Sequence, residues 1–149
     1  MKMTELHKKG HFSKENIELQ YSRSLEKSVL LIEDDNVLRE NIAELLELSG
    51  YRVITAANGK SGIDKVKEHL PDIIICDIVM PEMNGYVVRD HLSKNDATLE
   101  IPFIFLSAKT EERDIYYGIN LGADGYITKP FKERDLLTTL ERCLAKSSK

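Results

Sequence analysis

Short apolar runs alternate with longer stretches of mixed polarity from Ser28 almost to the end of the chain. Runs of this length, bounded by polar residues and rich in Ile, Val and Phe, predict buried strands. The predicted strands are Val29–Glu33, Arg52–Ala56, Ile73–Asp77, Phe103–Ser107 and Gly125–Thr128. Because nearly continuous apolar strands are typical of sheets covered on both faces, the pattern favours a parallel sheet.

The stretches between these strands have the spacing of amphipathic helices. In the first of them apolar residues recur every three or four positions, at Leu38, Ile42, Leu45 and Leu46. Asp35 or Asn36 is placed to cap its start and Gly50 to end it. The five predicted helices cover about 36–49, 58–70, 84–92, 111–121 and 133–145. Five such strand–helix units predict an α/β fold, a doubly wound three-layer sandwich.

Residues 1–27 do not share this alternation. Ser13 is a suitable N-cap, and apolar residues follow it every four positions, at Ile17, Tyr21 and Leu25. This spacing predicts a short amphipathic helix over 13–26, and the alternative is a frayed extension or linker remnant. The predicted division is an N-terminal extension over 1–27, a domain over 28–146 and a tail over 147–149.

Composition and charge restrict the classes of function. The chain has 149 residues, of which 42% are hydrophobic, enough for one core domain. It contains no membrane-spanning stretch and no signal peptide, so we expect a cytoplasmic protein with no membrane partner. Residues 1–27 carry six Lys/Arg and four Asp/Glu, a net +2, which leaves 15 against 21, or −6, for the rest. An acidic domain without a basic stripe argues against direct nucleic-acid binding.

Polar side chains that can take part in binding or catalysis lie where the apolar runs end. They are Glu33, Asp34, Asp77, Ser107 and Lys129. Because the carboxyl ends of parallel strands lie at one edge of a sheet, we expect a single acidic pocket there. Clustered carboxylates suit a hard divalent cation such as Mg²⁺, with Mn²⁺ as a substitute. The alternative interpretation is that Asp34 caps a helix and Asp77 begins a turn.

Four segments together resemble the receiver domain of two-component response regulators. The segments are Leu31-Ile32-Glu33-Asp34-Asp35, Pro71 to Gly85 around Asp77, Ile101 to Lys109 around Ser107, and Gly122 to Phe131 around Lys129. Each contains the end of a predicted strand, and the resemblance covers residues 28–146. It implies a flavodoxin-like fold with strand order 2-1-3-4-5, in an apparently stand-alone receiver similar to those of chemotaxis.

The resemblance also implies roles for individual residues. Asp77 would be the phosphoacceptor, a carboxylate that attacks phosphorus and forms an acyl phosphate. Glu33, Asp34 and Asp77, with the backbone carbonyl of Val79, would hold Mg²⁺, and no organic cofactor is expected. Lys129 would pair with Asp77 and then with the phosphoryl oxygens. In the family the bond before the equivalent proline is usually cis, so the Lys129–Pro130 bond is expected to be cis.

Ser107 and Tyr126 would carry the conformational switch. The resemblance implies that the Ser107 hydroxyl moves to donate to the phosphoryl group and that the Tyr126 ring turns into the vacated space. The surface formed by the fourth predicted helix, the fifth strand and the fifth helix would then change shape. The alternative for Tyr126 is a half-buried strand aromatic without a signalling role.

Three residues, Glu33, Val79 and Lys109, depart from the common family pattern, and these departures bear on reaction rates. Glu33 is one methylene longer than the usual aspartate, which still permits contact with the metal through water. Val79 and Lys109 offer no group that orients an attacking water, so we expect slow loss of the phosphoryl group. Hydrolases of the aspartyl-phosphate class usually carry Asp-X-Asp, and Val79 occupies the second position. We therefore expect no enzyme activity beyond self-phosphorylation and slow autodephosphorylation.

Expected partners follow from the same resemblance. The phosphodonor would be a histidine kinase or histidine phosphotransfer protein packing near the first helix. The regulated protein would contact the surface of the fourth helix, fifth strand and fifth helix. The chain itself would be a monomer or a weak phosphorylation-dependent dimer. Two alternatives are a phosphate-independent interaction module and the N-terminal receiver of a longer regulator with an output domain.

Overall fold

A five-stranded parallel sheet forms the centre of the protein in a computed structural model that describes residues 13–15 and 26–147. The strands are β1 Ser28–Ile32, β2 Arg52–Ala56, β3 Ile73–Asp77, β4 Phe103–Ser107 and β5 Gly125–Thr128. They are ordered β2-β1-β3-β4-β5, and every neighbouring pair is parallel. The predicted fold and strand order are confirmed. The first strand differs by one residue at each end, since Ser28 belongs to it and Glu33 lies just beyond it.

Six helices connect and cover the strands in the described part of the chain. They are α1 Asn36–Leu48, α2 Gly59–His69, α3 Gly85–Ser93, α4 Asp96–Leu99, α5 Glu112–Asn120 and α6 Glu133–Ser147. The five predicted helices are present, and α5 and α6 correspond to the fourth and fifth of them. The short α4 was not predicted. The buried Thr98 hydroxyl stabilises it by donating to the Leu92 carbonyl at 2.7 Å, a contact between neighbouring helices.

The two chain ends differ from the prediction in different ways. Helix α6 continues through Ser147, which the sequence had placed in the tail. Lys14 and Glu15 are helical, and the rest of the predicted N-terminal helix lies outside the described residues. None of the helices within the described ranges combines the length and the apolar character needed to cross a membrane.

The sheet separates two apolar layers because alternate residues of each strand point to opposite faces. One layer packs under α2 and α3, and its members include Leu30, Ile32, Ile74, Cys76, Phe103, Phe105, Val66 and Val88. The other packs under α1 and α6, and includes Val29, Leu31, Ile73, Ile75, Ile104, Leu106, Leu46 and Leu140. Strands β1, β3 and β4 are fully buried, and their carboxyl ends are consequently held in fixed relative positions.

Candidate functional site

Three carboxylates converge at the carboxyl edge of the sheet. Strands β1 and β3 are neighbours, with Ile32 paired to Cys76, so the next residues, Glu33 and Asp77, lie level with each other. Ligand oxygens of Glu33, Asp34 and Asp77 all lie within 4.8 Å of one another. Glu33 and Asp77 are buried, whereas Asp34 is exposed and gives access from solvent. The predicted acidic pocket therefore exists as a spatial cluster.

Lys129 enters this cluster directly after β5. Its ammonium donates to Glu33 Oε1 at 2.7 Å and to Asp77 Oδ2 at 3.1 Å. Partial burial of Lys129 works against its charged form, but the hydrogen bonds and charges of both carboxylates outweigh it and raise the pKa above 10.5. The expected cis bond between Lys129 and Pro130 is present. The shorter of the two contacts goes to Glu33, which the sequence had assigned to metal binding.

The net negative charge of the cluster favours binding of a divalent cation. Three carboxylates and one ammonium sum to −2 when all are ionised, and such an excess is unfavourable near a buried sheet edge. Limited burial, followed by a hydrogen bond and charge from Glu33, raises the pKa of Asp34 above 3.8. Carboxylate oxygens are the ligands that hard cations such as Mg²⁺ prefer. The residues present therefore fit a magnesium ion by charge, by spacing and by donor type.

The loop after β3 determines the surroundings of Asp77. The backbone N–H of Val79 donates to Asp77 Oδ1 at 3.2 Å, and the Val79 side chain is 60% exposed. Further along, the Gly85 N–H returns to the Ile78 carbonyl at 2.8 Å. A Cβ on Gly85 would lie 2.9 Å from Ile78 Cα, so only glycine allows α3 to begin this close to the site. Gly85 thus positions the loop that holds Asp77.

Ser107 and Tyr126 meet at the backbone of one residue, Lys109. The buried Ser107 hydroxyl accepts the Lys109 N–H at 3.1 Å, and the Tyr126 hydroxyl donates to the Lys109 carbonyl at 2.8 Å. Burial raises the pKa of Tyr126, and a hydrogen bond with Ser107 opposes that rise. The two residues predicted to form a switch are therefore connected through a shared peptide segment, which the sequence did not indicate.

Arg39 supports the cluster, and the sequence analysis missed it. Its guanidinium donates to the Glu33 carbonyl at 2.8 Å and to Asn36 Oδ1 at 2.6 Å. Glu33 Oε2 also accepts the Asp35 N–H at 3.3 Å. These bonds fix the turn between β1 and α1, from which two of the carboxylates project. The spacing of Arg39, one helical turn after Asp35, was the available signal.

Comparisons with known proteins agree with this geometry. The family model described as "Response regulator receiver domain" matches residues 29–141. Response regulator SaeR of Staphylococcus aureus is 36% identical over 121 residues, which are 81% of this chain and 52% of SaeR. The chain thus spans about half the length of the curated relatives it matches.

Solved structures show the same fold. Chemotaxis protein CheY4 of Vibrio cholerae superposes with a TM-score of 0.75 at 30% identity, covering 79% of this chain and 98% of CheY4. The signal receiver domain of a histidine kinase from Syntrophus aciditrophicus gives a TM-score of 0.74 at 32% identity, covering 80% and 91%. The family model's match over residues 29–141 contains the acidic cluster, Ser107 and Lys129.

Proposed function

This chain belongs to the response regulator receiver domain family of two-component systems, and from that premise we propose that Asp77 accepts a phosphoryl group and thereby switches the protein. The observation that carries the proposal is the convergence of Lys129 and the buried Asp77 carboxylate, at 3.1 Å, inside a three-carboxylate cluster. A surface lysine beside a turn would not need two buried carboxylate partners.

The transfer step is a displacement at phosphorus. An Asp77 carboxylate oxygen attacks the phosphorus of a phosphohistidine, a P–O bond forms, and the P–N bond breaks with its electron pair leaving on the imidazole. Lys129 is placed to follow the transferred charge, since its ammonium already contacts Asp77 and can pair with a phosphoryl oxygen. The Val79 N–H orients the nucleophile by holding the second Asp77 oxygen. Positioning and charge neutralisation supply most of the catalysis in such transfers.

Glu33, Asp34, Asp77 and the carbonyl of Val79 are the groups that would hold Mg²⁺, or Mn²⁺ in its place. When bound, the ion neutralises charge between the carboxylate nucleophile and the phosphoryl group. Glu33 already accepts Lys129 at 2.7 Å, so its contribution to the ion would pass through water or the oxygen facing away from Lys129.

The output of the switch is proposed to run through Ser107, Lys109 and Tyr126. A Ser107 hydroxyl can donate to a phosphoryl oxygen while still accepting the Lys109 N–H, so Lys109 would follow any movement of Ser107. Tyr126 holds the carbonyl of the same residue. The surface of α5, β5 and α6 would then present the two states to a partner protein, and a histidine kinase or phosphotransfer protein would dock near α1.

We further propose that the protein acts only on itself and loses the phosphoryl group slowly. Hydrolysis needs a group that orients water beside the acyl phosphate. Val79 is apolar and exposed, and Lys109 has a long cationic side chain with its backbone engaged by Ser107 and Tyr126. Neither side chain is suited to that task. The protein would therefore be a switch and not an enzyme for external phosphoesters.

The test is intact mass after incubation with acetyl phosphate and Mg²⁺. We expect the gain of one phosphoryl group in the wild type, and none with Asp77→Asn or with a chelator present. The same samples followed after removal of the donor should keep the group for minutes or longer. A half-life of seconds would contradict slow loss. No mass gain by folded wild-type protein would favour the phosphate-independent interaction module.

A further inference from the structure

Arg89 is a buried cation that the proposed phosphotransfer does not use. It lies on α3, is only 7% exposed, and its NH1 has no hydrogen-bond partner among the residues that the structure describes. Its guanidinium sits over the Phe103 ring, with Cζ 5.8 Å from the ring centroid. Burying an arginine costs free energy when one of its N–H groups has no hydrogen-bond partner. Overall stability is therefore a poor explanation for its presence.

The guanidinium contacts the carboxyl end of α5. There the Gly122 N–H bonds to the Ile119 carbonyl at 2.9 Å and the Ala123 N–H to the Gly118 carbonyl at 3.4 Å. With Gly122 at φ +96°, this is a Schellman ending, which leaves the Leu121 carbonyl without a partner from the helix. Arg89 Nε donates to that carbonyl at 3.3 Å. The negative end of the helix dipole also favours a cation at this position.

Gly122 is suited to this position by its left-handed backbone and by the space that its missing side chain leaves for Arg89. A Cβ at this position would lie 2.7 Å from Arg89 NH2. Any other residue would strain the left-handed backbone and also displace the guanidinium. The carboxyl end of α5 is thus attached to α3 by a contact that crosses 32 positions of sequence.

The amino end of α5 is attached differently. Its N-cap, Glu111, makes no side-chain capping bond. The preceding Lys109 is held by Ser107 and Tyr126, the two residues proposed to move on phosphorylation. In the last turn of the helix Gly118 has no side chain, so the helix lies close to Phe105 and Tyr126. The amino end of α5 is therefore connected to the switch through the backbone of Lys109, whereas the carboxyl end is bonded to Arg89, a residue outside the switch.

We propose that Arg89 is a positioning residue that anchors the carboxyl end of α5, so that phosphorylation displaces the amino end. Only the second part of this inference, the displacement of the amino end on phosphorylation, rests on the proposed function. The anchor itself follows from the contacts of Arg89 with Leu121, Gly122 and Phe103.

The test is residue-resolved hydrogen exchange on the full chain. In Arg89→Met we expect the amides of Leu121, Gly122 and Ala123 to exchange about tenfold faster, because a charge-assisted bond is lost. Urea unfolding should show unchanged or higher overall stability. Arg89→Lys should restore slow exchange at least in part. Arg52→Met, an exposed arginine on the far edge strand, is the matched control and should leave these amides unaffected.

A second comparison uses protein phosphorylated with acetyl phosphate and verified by mass. In the wild type we expect altered exchange at the amino-end amides of Asp114 and Ile115 and little change at Gly122. In Arg89→Met the alteration should extend to both ends. Unchanged exchange at 121–123 in Arg89→Met would overturn the anchor. Equal alteration at both ends of the wild-type helix would overturn its role as a pivot.

The unphosphorylated and phosphorylated comparisons test this inference and the proposed function separately. A wild-type chain that accepts no phosphoryl group would contradict the proposed function and with it the pivot. The unphosphorylated comparison would still decide whether Arg89 anchors α5. If Arg89→Met fails to fold, Arg89→Gln takes its place: faster exchange at 121–123 in folded Arg89→Gln supports the anchor, and unchanged exchange there opposes it.

Discussion

At the scale of single residues, Lys129 places one ammonium between two carboxylates. It balances Glu33 and Asp77 in the resting site, and both carboxylates are almost fully shielded from water. Removing one partner of such a pair leaves an uncompensated buried charge, which is strongly destabilising. Lys129 is therefore expected to contribute to folding as well as to phosphotransfer.

The raised pKa of Lys129 predicts how stability depends on alkaline pH. Its folded pKa lies above the unfolded value near 10.5, so the stabilisation is complete below that pH and is lost as pH rises through the folded pKa. Urea unfolding of the wild type and Lys129→Met should give a difference in free energy that shrinks above about pH 10.5. Tyrosine ionisation affects both proteins and cancels in the comparison. A difference that stays constant at high pH would contradict this assignment.

At the scale of elements, the helix starts differ in how they are capped. The Asp35 carboxylate accepts the Leu38 N–H of α1 at 3.0 Å, and Asn84 does the same for Val87 of α3 at 3.0 Å. Helix α5 has Glu111 at the equivalent position without a side-chain bond. The helices that follow the two carboxylate-bearing loops, α1 and α3, are thus capped by side chains at their amino ends, and the helix proposed to move is not.

This difference predicts unequal costs of alanine substitution. Asp35→Ala should lower the free energy of unfolding by about 1 kcal/mol, because an N-cap bond is lost. Glu111→Ala should change it by less than about 0.5 kcal/mol, since its exposed ion pair with Arg113 contributes little. Denaturant titrations of both variants test the ordering. An equal loss of unfolding free energy in the two variants would show that the N-cap bond of α1 contributes no additional stability.

At the scale of the whole molecule, the acidic cluster joins two strands that are distant in sequence. Glu33 and Asp34 follow β1, and Asp77 ends β3, so a cation bound to all three would connect the first and third strands. Such a site exists only in the folded chain. Cation binding should therefore stabilise the whole domain.

The corresponding prediction concerns thermal unfolding with and without Mg²⁺. At a Mg²⁺ concentration of 100 times Kd the free energy of unfolding should rise by about 2.7 kcal/mol, and a chelator should reverse the gain. Asp34→Asn should reduce the Mg²⁺-dependent part, because one ligand charge is removed. Asp90→Asn is the control and should respond to Mg²⁺ like the wild type, because Asp90 lies on α3 with an exposed carboxylate that pairs with Lys94. An equal response in Asp34→Asn would argue against the cluster as the binding site.

Most of the sheet could be predicted because its determinants are local. Strands β2 to β5 have the predicted bounds, and the polar residues at or after their carboxyl ends lie at one edge by the geometry of parallel strands. The helices were harder at their ends, where only one or two residues decide the boundary. Helix α4 escaped prediction because its four residues are too few for a periodic pattern, and Thr98 is held by the contact to Leu92.

The sequence by itself determined the order of the elements, the edge where the charged residues gather and the family resemblance, since each depends on neighbouring residues and fixed spacing. The tertiary structure alone decided that Lys129 contacts Glu33 across 96 positions, that Ser107 and Tyr126 meet at Lys109, and that Arg89 is buried against the carboxyl end of α5. Contacts of this kind depend on how packed helices and strands approach one another. From the sequence alone an arginine on a helix is predicted to be exposed, because the segment that buries it is known only from the tertiary structure.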